Sequence, residues 1–396
     1  MKLLDAGKVL LGAKLDKVLT GPFFVQIGIC NACNYRCVMC WDHPPFINRD
    51  DLVSRDEAKF LNYDRPSINY ASGNVFMPLE QYRSLIDELS EMGTCQVKIC
   101  GHGEPLLNKD VLEMIKHTSA RGISCHLVTN GSLLTKDSMY AFSDAGLDRL
   151  HISLNAASME TYSKIHLNAP KESFKRIVGL LESIDESHRR MDLQASFVIT
   201  SLNYREIKDF ISLAGDCGLS RVVFVLVTTY RQTDSLRLSA DQQKDLMLEI
   251  KEAAILADKL KVKTNLTDLK KNIDARVDTN NKSKYIYDKI PCYVGWYFSQ
   301  INADGAVTPC CECIGSIGNI NNNLFKEIWY GAEYDEFRRS SRRIPQTRKF
   351  PPACRCNDCG FQLNNVLLHR LLHPLSTSSG ILSGDVDVKD LLQKIR

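Results

Sequence analysis

Between residues 23 and 227, short and nearly continuous apolar runs alternate with stretches in which apolar residues return every three to four positions. The runs are Phe23–Cys30, Cys95–Cys100, Ser124–Thr129, Arg149–Leu154, Leu193–Thr200 and Arg221–Val227. They are rich in Val and Ile, as expected of parallel strands covered on both faces. Helical patterns fall between them, at about 78–92, 109–121, 135–146, 172–187 and 204–217. This alternation predicts a parallel α/β sheet with right-handed crossovers. One interval breaks the rhythm. Residues 42–77 hold Pro44, Pro45, Pro66 and a Ser72-Gly73-Asn74 turn, so they read as a long loop insertion, plausibly a substrate-facing cap.

The flanking regions differ. In residues 1–22, Leu3, Leu4, Val9, Leu10, Leu11, Leu15, Val18 and Leu19 alternate with Asp5, Lys8, Lys14, Asp16 and Lys17, which is helical spacing with a polar face. We expect an amphipathic helix lying across the main domain, with a membrane-surface helix as the alternative. Residues 231–287 form a bridge, with one or two charged helices over 238–276. A cysteine-rich region of 288–362 and a tail of 363–396 complete the chain.

Composition narrows this picture little. At 396 residues, 44% hydrophobic and 24% charged, the chain is an ordinary globular protein of one large domain with an appendage. A net charge of +3 gives no push toward nucleic acid, and no run approaches the ~20 apolar residues of a membrane span. The 15 cysteines are the anomaly. With no export signal, they predict a reducing, cytoplasmic setting in which thiols bind metal rather than form disulfides.

The first cluster is Cys33-Asn34-Tyr35-Arg36-Cys37-Val38-Met39-Cys40, directly after the first strand. Structural zinc uses four closed ligands, usually as two separated pairs, and ferredoxin sites supply four cysteines per cluster. Three thiolates hold three irons of a cubane and leave the fourth open. Cys30 ends an apolar strand and reads as a small core residue rather than a ligand. The run resembles the signature of the radical S-adenosylmethionine (radical SAM) superfamily, Cys-x3-Cys-x-aromatic-Cys, with Met39 at the aromatic position. The wider resemblance covers residues 23–230.

That resemblance implies a partial (β/α)6 TIM-like barrel and a further set of contacts. Gly101-His102-Gly103-Glu104-Pro105 follows the second strand, and Gly103, Glu104 and Pro105 would meet the amino group of SAM. Thr129 and Asn130, in Thr129-Asn130-Gly131, follow the third strand. Ser153 and Asn155 end the fourth and would face the SAM ribose and carboxylate, while Met39 and Val222–Val227 would pack on the adenine. All sit at C-terminal strand ends, where such barrels place ligands.

The second constellation begins at Cys292 and reaches Cys310 through a hairpin turn at Asp304-Gly305. Cys354, Cys356 and Cys359 come much later. The series resembles the SPASM or twitch extension of radical SAM enzymes, a small C-terminal cysteine-rich α+β domain. Cys292, Cys310, Cys356 and Cys359 are assigned to an auxiliary [4Fe–4S] cluster, with Cys311, Cys313 and Cys354 left over. A structural four-cysteine zinc site is the alternative.

The resemblance implies an enzyme that reductively cleaves SAM to a 5′-deoxyadenosyl radical and takes a hydrogen atom from a substrate. It implies a [4Fe–4S] cluster with SAM, a second [4Fe–4S] cluster and a flavodoxin- or ferredoxin-type electron donor. With no peptide-recognition domain ahead of residue 23, a sugar- or cyclitol-like small molecule is expected, and a peptide- or protein-modifying enzyme is the alternative. A non-catalytic iron–sulfur or zinc protein is the third reading. The catalytic proton-transfer residue is not identified by sequence. His43, His102, His126 and His151 are the histidines nearest the expected active face, and the basic run Arg338–Lys349 reads as a solvated connector.

Overall fold

The structure is a computed structural model that describes residues 2–43, 45, 73–185, 190–229, 231–270, 286–311, 313, 315–351, 354, 356 and 359–373. Most of the 42–77 insertion and the last part of the tail lie outside these residues.

Six strands follow the apolar runs: β1 (Phe24–Ile27), β2 (Gln96–Ile99), β3 (Ser124–Thr129), β4 (Arg149–Ser153), β5 (Asp192–Ile199) and β6 (Arg221–Leu226). Neighbours pair in parallel and in sequence order. The crossovers contain α2 (Leu79–Glu91), α3 (Val111–Ala120), α4 (Lys136–Asp144), α5 (Met159–Ile165), α6 (Ser173–Glu182) and α7 (Ile207–Asp216). Each buries an apolar stripe against the sheet, as Ile207, Phe210 and Ile211 of α7 do. On β6, Val222 and Phe224 point under α7, where Phe224 meets Phe197 and Phe210, while Val225 on the other face is 48% exposed. The strand thus keeps one apolar face uncovered.

The sheet is open and longer than a six-stranded half barrel. After α8 (Ala240–Leu260), β7 (Lys263–Thr264) adds to β6 at one end. At the other end β8 (Phe298–Ile301) pairs in parallel with β1, and β9 (Ala306–Thr308) and β10 (Gly318–Asn319) continue antiparallel. The order is β10-β9-β8-β1-β2-β3-β4-β5-β6-β7. The cysteine-rich region therefore shares the main sheet.

The N-terminal helix α1 (Lys2–Leu15) lies on that region, against α9 (Val294–Tyr297) and α13 (Gln362–Leu372), and not across the main domain as expected. Val9 and Ala13 are buried there, Arg342 donates to Ala13 O at 2.9 Å, and Trp329 Nε1 donates to Thr20 O at 3.0 Å. Two more helices, α10 (Phe325–Trp329) and α11 (Ala332–Arg342), carry these partners, and α12 (Ile344–Thr347) follows. The basic run is not wholly solvated. Arg338 is 3% exposed, sits over the Trp329 and Tyr334 rings, and donates to Gly295 O, Trp329 O and Asp335. Among the described residues no helix is long and apolar enough to cross a membrane.

Candidate functional site

The first cysteine loop starts where β1 ends. A Cβ on Gly101 would stand 2.6 Å from Gly28 Cα, and one on Gly103 only 2.2 Å from Ala32 O. The glycines therefore let the β2 turn close onto the β1 turn, and Glu104 N donates to Ala32 O at 2.7 Å. Cys30 is 2% exposed and its thiol donates to Glu104 O at 3.0 Å, so it serves as a core residue with a local bond. Met39 packs against the cluster of Val38, Ile165 and Leu236.

Glu104 is the hub of the polar end. Its carboxylate accepts from Thr129 Oγ1 at 2.6 Å, Asn130 N at 2.7 Å and Leu106 N at 3.1 Å, while burial raises its pKa. Asn130 Nδ2 donates to Asn34 Oδ1 at 2.9 Å, which ties the β3 turn to the cysteine loop. Pro105 is buried and opens a short 3-10 turn. Ser153 is half-buried at the end of β4. Asn155 is 3% exposed with φ of 60°, and its Oδ1 accepts from Val198 N at 2.9 Å. Its carboxamide oxygen thus locks the end of β4 to β5.

The three thiols share one electrostatic setting. Burial pushes Cys33 up to about 11 and Cys40 up to about 12, and raises Cys37 as well. The charged groups facing them are Glu104, Asp42 and one another, all of which raise them further. Three half-buried thiols among carboxylates call for a local positive charge before they ionise, so the donor set fits iron. Backbone N–H groups approach two of them, Tyr35 N to Cys33 Sγ at 3.5 Å and His43 N to Cys40 Sγ at 3.1 Å. Cys37 Sγ instead meets His166 Nδ1 at 3.0 Å, a contact sequence reasoning missed.

The second constellation surrounds one cavity. Cys292, Cys310, Cys356 and Cys359 line it as expected, and so do Cys313 and Cys354. Those two are not spare: they face each other across an antiparallel bridge. The spacings Cys310-x2-Cys313 and Cys354-x-Cys356 are the signal that places them. Phe337, Ser341, Pro351 and Phe361 complete the wall. Tyr287 OH meets Cys359 Sγ at 3.0 Å, and Asn365 Nδ2 reaches Tyr287 OH at 2.8 Å and Cys292 Sγ at 3.7 Å. Burial and the neighbouring cysteines raise Cys292, whereas Cys354, approached by the Cys313 and Cys356 thiols, is lowered to about 5. Among the described residues no three His, Cys, Asp or Glu side chains gather as they would around a single ion. Six thiols on one cavity exceed the four that a structural zinc closes on, which suits a cluster.

A polar relay joins the two regions. His102 Nδ1 meets Asp42 Oδ1 at 3.0 Å, and its Nε2 meets Asn302 Oδ1 and Gln300 Nε2, both at 3.1 Å. His43 Nε2 donates to His102 O at 2.7 Å. His126 and His151 lie further down β3 and β4. Burial pushes His151 down to about 3, and His126 contacts Ser124 Oγ.

Comparison with known proteins agrees with this arrangement. The family model for the radical SAM superfamily matches residues 27–240, more than half of the chain, and that for the SPASM iron–sulfur cluster-binding domain matches residues 292–360. An AdoMet-dependent heme synthase from Methanosarcina barkeri is 26% identical over 268 residues, covering 64% of this chain and 73% of that protein. A PqqA peptide cyclase from Xanthomonas campestris is 25% identical over 294 residues, covering 69% and 73%. Streptococcus suis SuiB bound to S-adenosylmethionine shares the fold with a TM-score of 0.60 at 15% identity, over 85% of this chain and 72% of that one.

Proposed function

We propose, from the premise that this chain belongs to the radical SAM superfamily, that it modifies a peptide or protein substrate. The chain is an enzyme, and its cofactors are SAM and [4Fe–4S] clusters. The substrate reading rests on the peptide cyclase likeness, which covers 69% of this chain. It is preferred to the sugar- or cyclitol-like substrate expected from the sequence.

When bound, the core cluster and SAM supply a 5′-deoxyadenosyl radical that takes a hydrogen atom from the substrate. In this reading Cys33, Cys37 and Cys40 hold three irons of that cluster. Glu104 presents its carboxyl group at the strand ends, oriented by Thr129, Asn130 and Leu106, to receive an ammonium. Gly103 and Pro105 admit close backbone approach, Ser153 and the Asn155 amide nitrogen supply polar contacts, and Met39 with Val225 offers apolar surface. Cys292, Cys310, Cys356 and Cys359 hold the auxiliary cluster, with Cys313 and Cys354 as two further thiols on its wall. Asp42 and Gln300 fix the His102 ring between the two regions.

The test is anaerobic. The reconstituted protein is given dithionite and SAM, then a mixed short-peptide pool or a pool of monosaccharides and cyclitols. Peptide-stimulated 5′-deoxyadenosine, with a peptide losing two hydrogens in mass, supports the reading. Stimulation by the sugar pool alone overturns it.

A further inference from the structure

His166 follows α5 and is 1% exposed. Val38 N donates to Ile165 O at 2.9 Å, and Cys37 and His166 pair across an isolated antiparallel bridge. The chain thus brings a helix end against the middle of the cysteine loop. The imidazole is fixed on all sides. Tyr162 lies 4.3 Å away and Tyr35 5.6 Å away between ring centroids. Nε2 is 3.2 Å from Leu154 O, and Nδ1 is 3.0 Å from Cys37 Sγ.

Each imidazole nitrogen can donate or accept, and what it faces decides which. With Cys37 as a thiol, the S–H donates to Nδ1 and Nε2–H donates to Leu154 O. A cysteine bound to iron has no proton and accepts only. The thiol proton then passes to Nδ1, which donates it back to the sulfur across the 3.0 Å contact, while Nε2–H keeps its bond to Leu154 O. Such a bond draws charge off the ligand, stabilises the reduced cluster and raises its potential. Backbone N–H groups approach Cys33 and Cys40, whereas Cys37 is met by the His166 imidazole, a donor that substitution can remove.

We propose that His166 is a positioning residue that donates a hydrogen bond from Nδ1 to the cluster-bound Cys37 sulfur and thereby sets the reduction potential of the core cluster. This rests on Cys37 being a cluster ligand. Two variants separate donor from packing. His166→Phe keeps a ring between Tyr35 and Tyr162 but has no donor. His166→Asn loses the ring, while its Nδ2 can stand where Nδ1 stood. The readouts are iron per chain and an EPR redox titration of the cluster signal that SAM perturbs. The expected result is a more negative midpoint potential in His166→Phe at parental iron content, and a potential near the parent in His166→Asn. Loss of the cluster in the Phe variant alone also supports the donor role. An unchanged potential in His166→Phe, an equal shift in both variants, or loss of the cluster in both would overturn it. A parent with no SAM-sensitive signal would instead sink the assignment of Cys37.

Discussion

Gly103 and His151 show how single side chains are constrained. A methyl group at Gly103 meets the Ala32 carbonyl at 2.2 Å, a backbone atom that cannot step aside. Gly103→Ala should cost about 1–3 kcal/mol, read as a lower urea midpoint, and should lower core iron loading. His151 is neutral in the fold and its pKa lies at about 3, mainly through burial. In the unfolded chain it titrates near 6.5, so below that pH unfolding takes up a proton. Stability should therefore fall as pH drops from about 6.5 toward 3, by up to about 1.4 kcal/mol per unit from this group. Urea midpoints at pH 7.5 and pH 5 should differ less in His151→Gln than in the parent. Legibility at this scale was uneven. Adjacent cysteines are visible in sequence. The partners of Cys37 and Asn155 are not, because His166 lies 129 positions from Cys37 and Val198 lies 43 from Asn155. Only the fold brings these pairs into contact.

The elements were easier to read, because a buried parallel strand must be apolar throughout and a covering helix must be striped. The six core strands and five of their helices follow from that rule. α5 escaped it: it spans only seven residues, and its Ser158 cap accepts from Thr161 N within a segment too short for a clear period. The cysteine-rich region is held by capping aromatics rather than by long elements. Arg338 is central there, bridging Trp329 O, Gly295 O and Asp335. Arg338→Met should keep the aliphatic packing but orphan two buried carbonyls, at a cost of about 1–3 kcal/mol by urea denaturation. Removing Cys356 and Cys359 together should bring iron from about eight to about four per chain, while Cys311→Ala, off the cavity wall, should leave the count unchanged.

At the scale of the molecule, the sequence separated a barrel from an appendage, whereas the structure runs one sheet through both. Strand pairing between residues some 270 apart leaves no local pattern, so the join could not be read. The amphipathic start was legible as a helix, but not which surface it covers. Its place on α9 and α13 predicts that deleting residues 1–20 lowers auxiliary iron while the SAM-sensitive signal of the core survives. The β1–β8 pairing carries a further consequence. β1 is hydrogen-bonded along both sides, to β2 and to β8. Cutting the chain before β8 would strip one side of β1 and leave its Phe24–Ile27 backbone groups open to any passing strand. A core fragment ending near residue 270 should therefore self-associate, and the appendage, whatever else it does, acts as the plug that shields β1 from a foreign strand.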